Sequence, residues 1–369
     1  LAFFEKNTLD PISELETIAL MRELIDRFPK NHPLKRYRND VYFETNNLRQ
    51  LFSTMKREGW QPQHLLDTIK KHVDELHTKD EYVYKRKYKQ FNPGDLKIEK
   101  INDEKEKMSK LEAAVKEFDQ FQQLMHNHKR YDFDDMINWV IRAFSENKNF
   151  LAQYQEQYQY VLVDEYQDTS GTQNKLVEML ISYWEEPNIF VVGDDDQSIF
   201  RFQGANVENM LGFSKKYHNI KTILLKENYR STQPILDTAT ALINQNKERL
   251  INHIKGLDKH LNAAKELNGF HPKQPIIHAY RSPREEMIGI TQSIEILIQQ
   301  GVEPNRIAVI YRENKYGEEL SDFLKSKNIL FYSKRNINLL DLPFIKKIIR
   351  VFEYLDAEMD MPFSGDEIL

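Results

Sequence analysis

Tyr160-Val161-Leu162-Val163-Asp164-Glu165-Tyr166-Gln167-Asp168-Thr169 is the stretch on which the fold turns. A short apolar, β-branched run ends abruptly in acids. Such a run, too short for a helix and bounded by polar residues, reads as a buried strand. Ile189-Phe190-Val191-Val192 is a second, ending in Gly193 and more acids, and Thr222-Ile223-Leu224-Leu225 is a third. Between the first two, Thr172–Trp184 reads as a helix. Buried strands alternating with helices predict a parallel sheet with crossover connections. Polar residues just beyond the C-terminal strand ends then lie where open α/β sheets bind ligands. The expected fold class is α/β.

Downstream, a second α/β unit is expected. Thr232–Asn246, Pro283–Gln300, Tyr316–Lys327 and Pro343–Leu355 read as helices, and Pro275–Ala279 and Arg306–Tyr311 as strands. Upstream, residues 1 to about 150 read as mostly helical. Apolar residues recur there at three- and four-residue intervals, as in Ile18, Met21, Leu24, Ile25 and Phe28. Glu99–Gln123 reads as one long helix carrying Met108, Leu111, Val115, Phe118 and Phe121.

The 369 residues suffice for two or three domains. With 40% hydrophobic and 30% charged residues, the chain is globular in composition. No apolar run approaches the ~20 residues of a membrane span, so no membrane partner is expected. Lys and Arg number 52 against 57 Asp and Glu, a net charge of −5. This excludes a histone-like polycation and leaves room for a local basic groove. There is no cysteine. Disulfides, thiolate nucleophiles and Cys-ligated metals are thereby excluded, and a reducing cytoplasm is the expected compartment.

The acids after the first strand form a Walker B arrangement. In that arrangement the first acid, Asp164, holds Mg²⁺ and the second, Glu165, activates the attacking water. Mg²⁺ keeps several waters, so one placed carboxylate is enough. Taken alone, the pair reads equally well as solvated acids at a strand end beside a helix cap. The second strand leads into Gly193-Asp194-Asp195-Asp196-Gln197-Ser198-Ile199-Phe200-Arg201-Phe202-Gln203-Gly204-Ala205. Consecutive acids repel one another, and a nearby Mg²⁺–phosphate site would give them a reason. Phe200 and Phe202, set among polar residues, are candidates for stacking on unpaired bases, with core packing as the alternative. In Leu225-Lys226-Glu227-Asn228-Tyr229-Arg230-Ser231 the planar fork of Arg230 suits phosphate oxygens. A surface ion pair with Glu227 is the alternative there.

In order and spacing, these three segments resemble motifs II, III and IV of the UvrD/Rep/PcrA helicases of superfamily 1. The family patterns are V-D-E-x-Q-D, G-D-x-D-Q-S-I-Y-x-F/W-R-G-A and L-x-x-N-Y-R-S. Phe200 stands where Tyr is usual and Gln203 where Arg is usual. Asp132-Phe133-Asp134-Asp135-Met136 resembles the D-F-D-D-L stretch upstream of motif II, and Arg306–Arg312 with Ile329–Tyr332 the start of the second motor domain. The resemblance is strongest over residues 160–235.

The resemblance implies RecA-like, P-loop NTPase-type parallel sheets with a large helical insertion, incomplete at both ends. Residues 1–130 would be a mainly helical insertion of the first motor domain and 131–230 its core. Residues 231–335 would begin the second motor domain and 336–369 its own helical insertion. The implied activity is ATP-dependent movement on single-stranded DNA, 3′ to 5′, with unwinding of duplex DNA. ATP and Mg²⁺ are the implied cofactors. Asp164 would hold Mg²⁺ and Glu165 would be the catalytic base. Gln197 would sense the γ-phosphate, Tyr229 would stack on adenine, and Arg230 would contact the γ-phosphate. Phe202, with Phe200, would stack on single-stranded DNA.

No G-x-x-x-x-G-K-[ST] loop occurs among the 369 residues, whose twelve glycines are thinly spread. That loop cradles phosphates with backbone N–H groups and a Lys. The expectation is therefore an internal piece of a helicase, inactive alone. The competing reading is a non-catalytic nucleic-acid-binding module derived from one. Tyr82–Phe91 holds basic and aromatic residues and no acid. It reads either as a DNA-tracking segment or as an amphipathic one with a solvated basic face. His126 and His128, with no third ligand nearby in sequence, read as surface residues.

Overall fold

The computed structural model describes residues 9–36, 40–198, 210, 212–213, 216–217, 220–247, 249–253, 258–264, 274–333, 340 and 342–360. Two compact units divide the chain, residues 1–273 and 274–369.

In the first unit, β1 (Asp10–Pro11) leads into α1 (Glu14–Arg27). Ser13 and Glu16 start this helix with a reciprocal capping box, at 3.2 and 2.8 Å. The bonds from Ser13, with Arg130 alongside, hold the Glu16 carboxyl down at about 2. α2 (Thr45–Glu58) closes on Gly59, whose φ of 67° is the left-handed conformation that glycine adopts without strain. α3 (Pro62–Asp74) begins with proline at its first position, where the missing N–H has no partner to lose. α4 (Ile98–Lys116) and α5 (Phe118–Asn127) replace the single long helix expected over 99–123. The chain pivots at Glu117, whose carboxylate lies 3.4 Å from His32. Past the pivot, Phe118 and Phe121 set their rings 5.5 and 5.3 Å from that of Phe52. Phe52, Met21, Leu24, Ile25, Met55 and Val115 are almost wholly excluded from water in the same cluster. Each such side chain contributes about 1.5–3 kcal/mol by burial, which makes this helical body the main core of the unit.

β2 (Arg130–Tyr131) pairs in parallel with β1. α6 (Phe133–Glu146) follows, its start capped by Asp132 and Asp135 in a second capping box. α7 (Lys148–Gln157) brings the chain to β3 (Val161–Val163). α8 (Gly171–Ile181) crosses over to β4 (Ile189–Val191), which runs parallel to β3 in the register Val161↔Ile189, Leu162↔Phe190, Val163↔Val191. Phe144, Leu151 and Met179 join α6, α7 and α8 in one cluster. The predicted parallel pair and crossover helix are therefore present. Burial on both faces is not: Leu162 is 75% and Phe190 56% exposed. Val161, Val163, Ile189 and Val191, on the opposite face, are half-buried.

β5 (Glu227–Asn228) pairs in parallel with β6 (Asn262–Ala263), and α9 (Gln233–Ile243) lies between them in sequence. The ladder at β5 begins two residues after the strand expected at Thr222–Leu225, which has no ladder partner among the described residues.

The second unit packs α10 (Pro283–Gln299) on α11 (Asn314–Ser326) through Met287, Ile294, Leu320 and Leu324, and α12 (Pro343–Asp360) follows. Its expected strands, Pro275–Ala279 and Arg306–Tyr311, carry no ladder among the described residues. Ile307 and Val309 nonetheless pack on the helical cluster while Ile310 is 95% exposed, the alternation of a strand that is covered on one face.

Candidate active site

Asp164 and Glu165 leave the C-terminal end of β3, and Gly193–Gln197 leave the same end of β4. Parallel pairing puts these two turns side by side, as the crossover connection requires. The Asp164 carboxylate accepts the N–H of Glu165 at 2.9 Å. Glu165 itself is left-handed, at φ 48° and ψ 44°, a conformation uncommon for a residue with a side chain and concentrated at functional sites. Both carboxylates are exposed.

Buried beneath them is Gln167, 1% exposed. Its Nε2 donates to Glu165 Oε2 at 2.6 Å, and its Oε1 accepts the N–H of Asp194 at 3.0 Å. One carboxamide thus spans the two turns. Gln197 Nε2 donates to Asp194 Oδ2 at 2.9 Å. Asp164, Glu165, Asp194 and Gln197 are therefore gathered in one place.

The run Asp194–Asp196 meets protein cations. Lys259 Nζ reaches Asp194 at 2.8 Å and Asp196 at 3.2 Å, and also contacts Asp195. Arg249 grips Asp196 with two bonds of 2.7 Å, and the N–H of Leu250 donates to buried Asp195 at 2.7 Å. Burial opposes the charge of Asp194, but bonds from Lys259 and Gln197 prevail and hold its carboxyl below the ordinary value. Burial likewise opposes the charge of Lys259, and its bonds to Asp194 and Asp195 raise it above the ordinary value. A nearby metal–phosphate site is one reason for consecutive acids that repel one another. The structure adds another, two cations folded back onto them. Lys259 lies 65 residues from Asp194, and no local pattern announces it. Gln167 did have a signal, its place between Glu165 and Asp168, but residue type alone assigned it no role.

Tyr229 and Arg230 follow β5 and are exposed. Asn228 Oδ1 accepts the N–H groups of Arg230 and Ser231 at 2.9 and 2.7 Å, forming a tight turn. The Tyr229 hydroxyl donates to Glu227 at 2.6 Å, and that bond raises its ionisation above the ordinary value. Glu227, the ion-pair partner that sequence suggests for Arg230, thus serves Tyr229. Lys226 pairs with Asp258 at 2.6 Å, beside Lys259, which ties this segment to the acids after β4. Phe200 and Phe202 lie outside the described residues.

No group of three or more His, Asp or Glu side chains fit to hold a metal ion occurs among the described residues. Mg²⁺ takes one or two carboxylates and completes its shell with water and phosphate. Exposed Asp164, a hard oxygen donor at a strand end, fits that requirement by itself. His128 pairs with Glu23 at 3.1 Å. In the basic segment, Tyr84 stacks on Phe91 at 4.7 Å between centroids, and Tyr82 is buried.

Comparison with known proteins adds to this geometry. The family model described as the UvrD/REP helicase N-terminal domain matches residues 9–218, and that of the UvrD-like helicase C-terminal domain matches residues 223–361. The YjcD protein of Bacillus subtilis is 33% identical over 244 residues, 66% of this chain and 30% of that one. The ATP-dependent DNA helicase PcrA of Leuconostoc citreum is 44% identical over 139 residues, 38% of this chain and 18% of that one. PcrA of Staphylococcus aureus is 36% identical over 222 residues, 59% of this chain and 28% of that one. The chain thus spans less than a third of the length of each of these relatives.

Proposed function

The chain belongs to the UvrD/Rep helicase family, and on that premise we propose that the complete protein is a superfamily 1 ATP-dependent DNA helicase acting in the cytoplasm. The observation that carries this reading is the convergence of Asp164 and Glu165 with Asp194 and Gln197 at the C-terminal ends of two parallel strands. A RecA-like motor places its nucleotide at such an edge, and the β3–α8–β4 crossover is compatible with that fold. On this reading residues 131–230 form the core of the first motor domain, with 1–130 its helical insertion. Residues 231–335 begin the second motor domain and 336–369 its insertion.

Asp164 would hold Mg²⁺, which when bound neutralises charge developing on the transferred phosphoryl group. Glu165 is the base. Its exposed carboxylate orients a water against the γ-phosphate and takes its proton. Gln197 senses the γ-phosphate, and Arg230 places a planar, permanently charged fork on the phosphate oxygens, where it stabilises charge in transfer. Tyr229 stacks on adenine, and Phe200 and Phe202 stack on bases of single-stranded DNA, each stack worth roughly 1–3 kcal/mol. Movement runs 3′ to 5′ and separates duplex DNA ahead of the motor.

The test is Glu165→Gln in the complete protein. The change keeps size and hydrogen bonding but removes the base. DNA-stimulated ATP hydrolysis should slow about 10²–10⁴-fold, with ATP and oligonucleotide affinities retained at fixed salt. A kcat within a few-fold of wild type would remove Glu165 from that role.

A further inference from the structure

We propose that Gln167 is a positioning residue for the Glu165 carboxylate and that its carboxamide links the base to the γ-phosphate sensor across the two strands. This rests on the reading of Glu165 as the base and Gln197 as the sensor. Gln167 is 1% exposed, and a carboxamide so placed is costly unless both its ends are hydrogen-bonded. Both are, and in opposite senses. Nε2 donates to Glu165 Oε2 at 2.6 Å, while Oε1 accepts from the N–H of Asp194 at 3.0 Å. Flipping the amide would set its oxygen against a carboxylate and its NH₂ against an N–H, so its orientation is dictated.

The bond at Glu165 engages one carboxylate oxygen and leaves Oε1 to receive a proton from water. It also steadies a residue held in the left-handed region at φ 48°. On the far side, Asp194 accepts the carboxamide of Gln197 at 2.9 Å. The chain Gln197–Asp194–Gln167–Glu165 is therefore continuous, each link shorter than 3.1 Å. A displacement of Gln197 on meeting phosphate passes through the backbone of Asp194 to the base. Gly193 makes the approach possible, because a Cβ there would stand 2.6 Å from Gln167 Oε1. Close approach, not backbone freedom, requires the glycine.

The experiment compares Gln167→Glu, Gln167→Met and Gly193→Ala with Glu165→Gln in the complete protein. It reads DNA-stimulated ATPase, the KM for ATP and the thermal midpoint. Gln167→Glu keeps length and the acceptor for Asp194 but loses the donor to Glu165. Gln167→Met loses both. Gly193→Ala leaves every polar group in place and displaces the amide from the other strand, so it carries the test if a Gln167 variant fails to fold. Misplacement of a catalytic group by about 1 Å costs on the order of 10² in rate. The expected result is a kcat lowered about 10- to 100-fold with KM changed little. The double variant Glu165→Gln/Gln167→Met should be no slower than Glu165→Gln alone, because groups acting as a unit are not additive.

Wild-type kcat in the Gln167 and Gly193 variants, with Glu165→Gln slow, overturns the positioning role and leaves the base assignment intact. A double variant slowed by the product of its parts overturns it as well, since Gln167 would then act elsewhere. Wild-type kcat in Glu165→Gln removes the base assignment and the inference with it.

Discussion

Lys56 sits on α2 with its side chain 2% exposed, 2.7 Å from Asp132 and 2.9 Å from Asp135. It is the charge that ties the helical body to the cap of α6. Burial pushes the Asp135 carboxyl upward against the pull of Lys56, so the pair is expensive to desolvate and expensive to break. Truncating one partner of a buried pair costs about 3–5 kcal/mol, because the other charge is stranded. Lys56→Met should therefore lower the thermal midpoint by on the order of 10 °C, and adding Asp135→Asn should restore part of the loss. A melting curve for the single variant matching wild type would show that the acids relax to water. The sequence marks Asp132–Met136 only as a stretch resembling one upstream of motif II and says nothing of Lys56, whose role depends on a fold that closes 76 to 79 residues of chain.

Between elements, the segment following α9 is fastened to the turn after β4 by charge. Arg249 and Lys259 reach the three consecutive acids from 53 to 65 residues away. Lys259 retains some exposure, so Lys259→Met should cost less than a fully buried pair, roughly 2–3 kcal/mol. The pH dependence has a definite sign. Asp194 is held below its ordinary value of about 3.9, so its contribution is present above that pH and lost as pH falls through the folded value. Lys259 is held above its ordinary value of about 10.4, so its contribution is present below that pH and lost as pH rises through the folded value. The stability gap between wild type and Lys259→Met should accordingly be flat from about pH 5 to 9 and shrink below about pH 4. Denaturant midpoints at stepped pH measure it. A gap that persists undiminished at low pH would assign the effect to packing of the lysine stem.

For the whole molecule, the 369-residue chain lacks a phosphate-cradling loop, and positioning dominates phosphoryl transfer. The purified chain should hydrolyse ATP roughly a thousandfold or more below the typical enzymatic range of about 1–10³ s⁻¹. DNA-stimulated turnover within that range would overturn the expectation. Much of the fold was legible because it is local. The apolar spacing of Ile18, Met21, Leu24, Ile25 and Phe28 and the short runs ending in Asp164 and Gly193 each follow from neighbours within a few residues. The family was legible for the same reason, since the order and spacing of its motifs lie along the chain. The break at Glu117 was not, because the packing of Phe118 and Phe121 on Phe52 outweighs helix periodicity. Nor were the strands at Thr222–Leu225 and Pro275–Ala279 decided by β-rich composition, because a strand exists only where another chain segment completes its hydrogen bonds. The sequence by itself determined which residue types stand at the strand ends. Only the tertiary structure decided that Gln167 joins two turns and that Lys259 offsets the acids after β4, because a hydrogen bond and an ion pair need separations of about 3 Å that chain order does not encode.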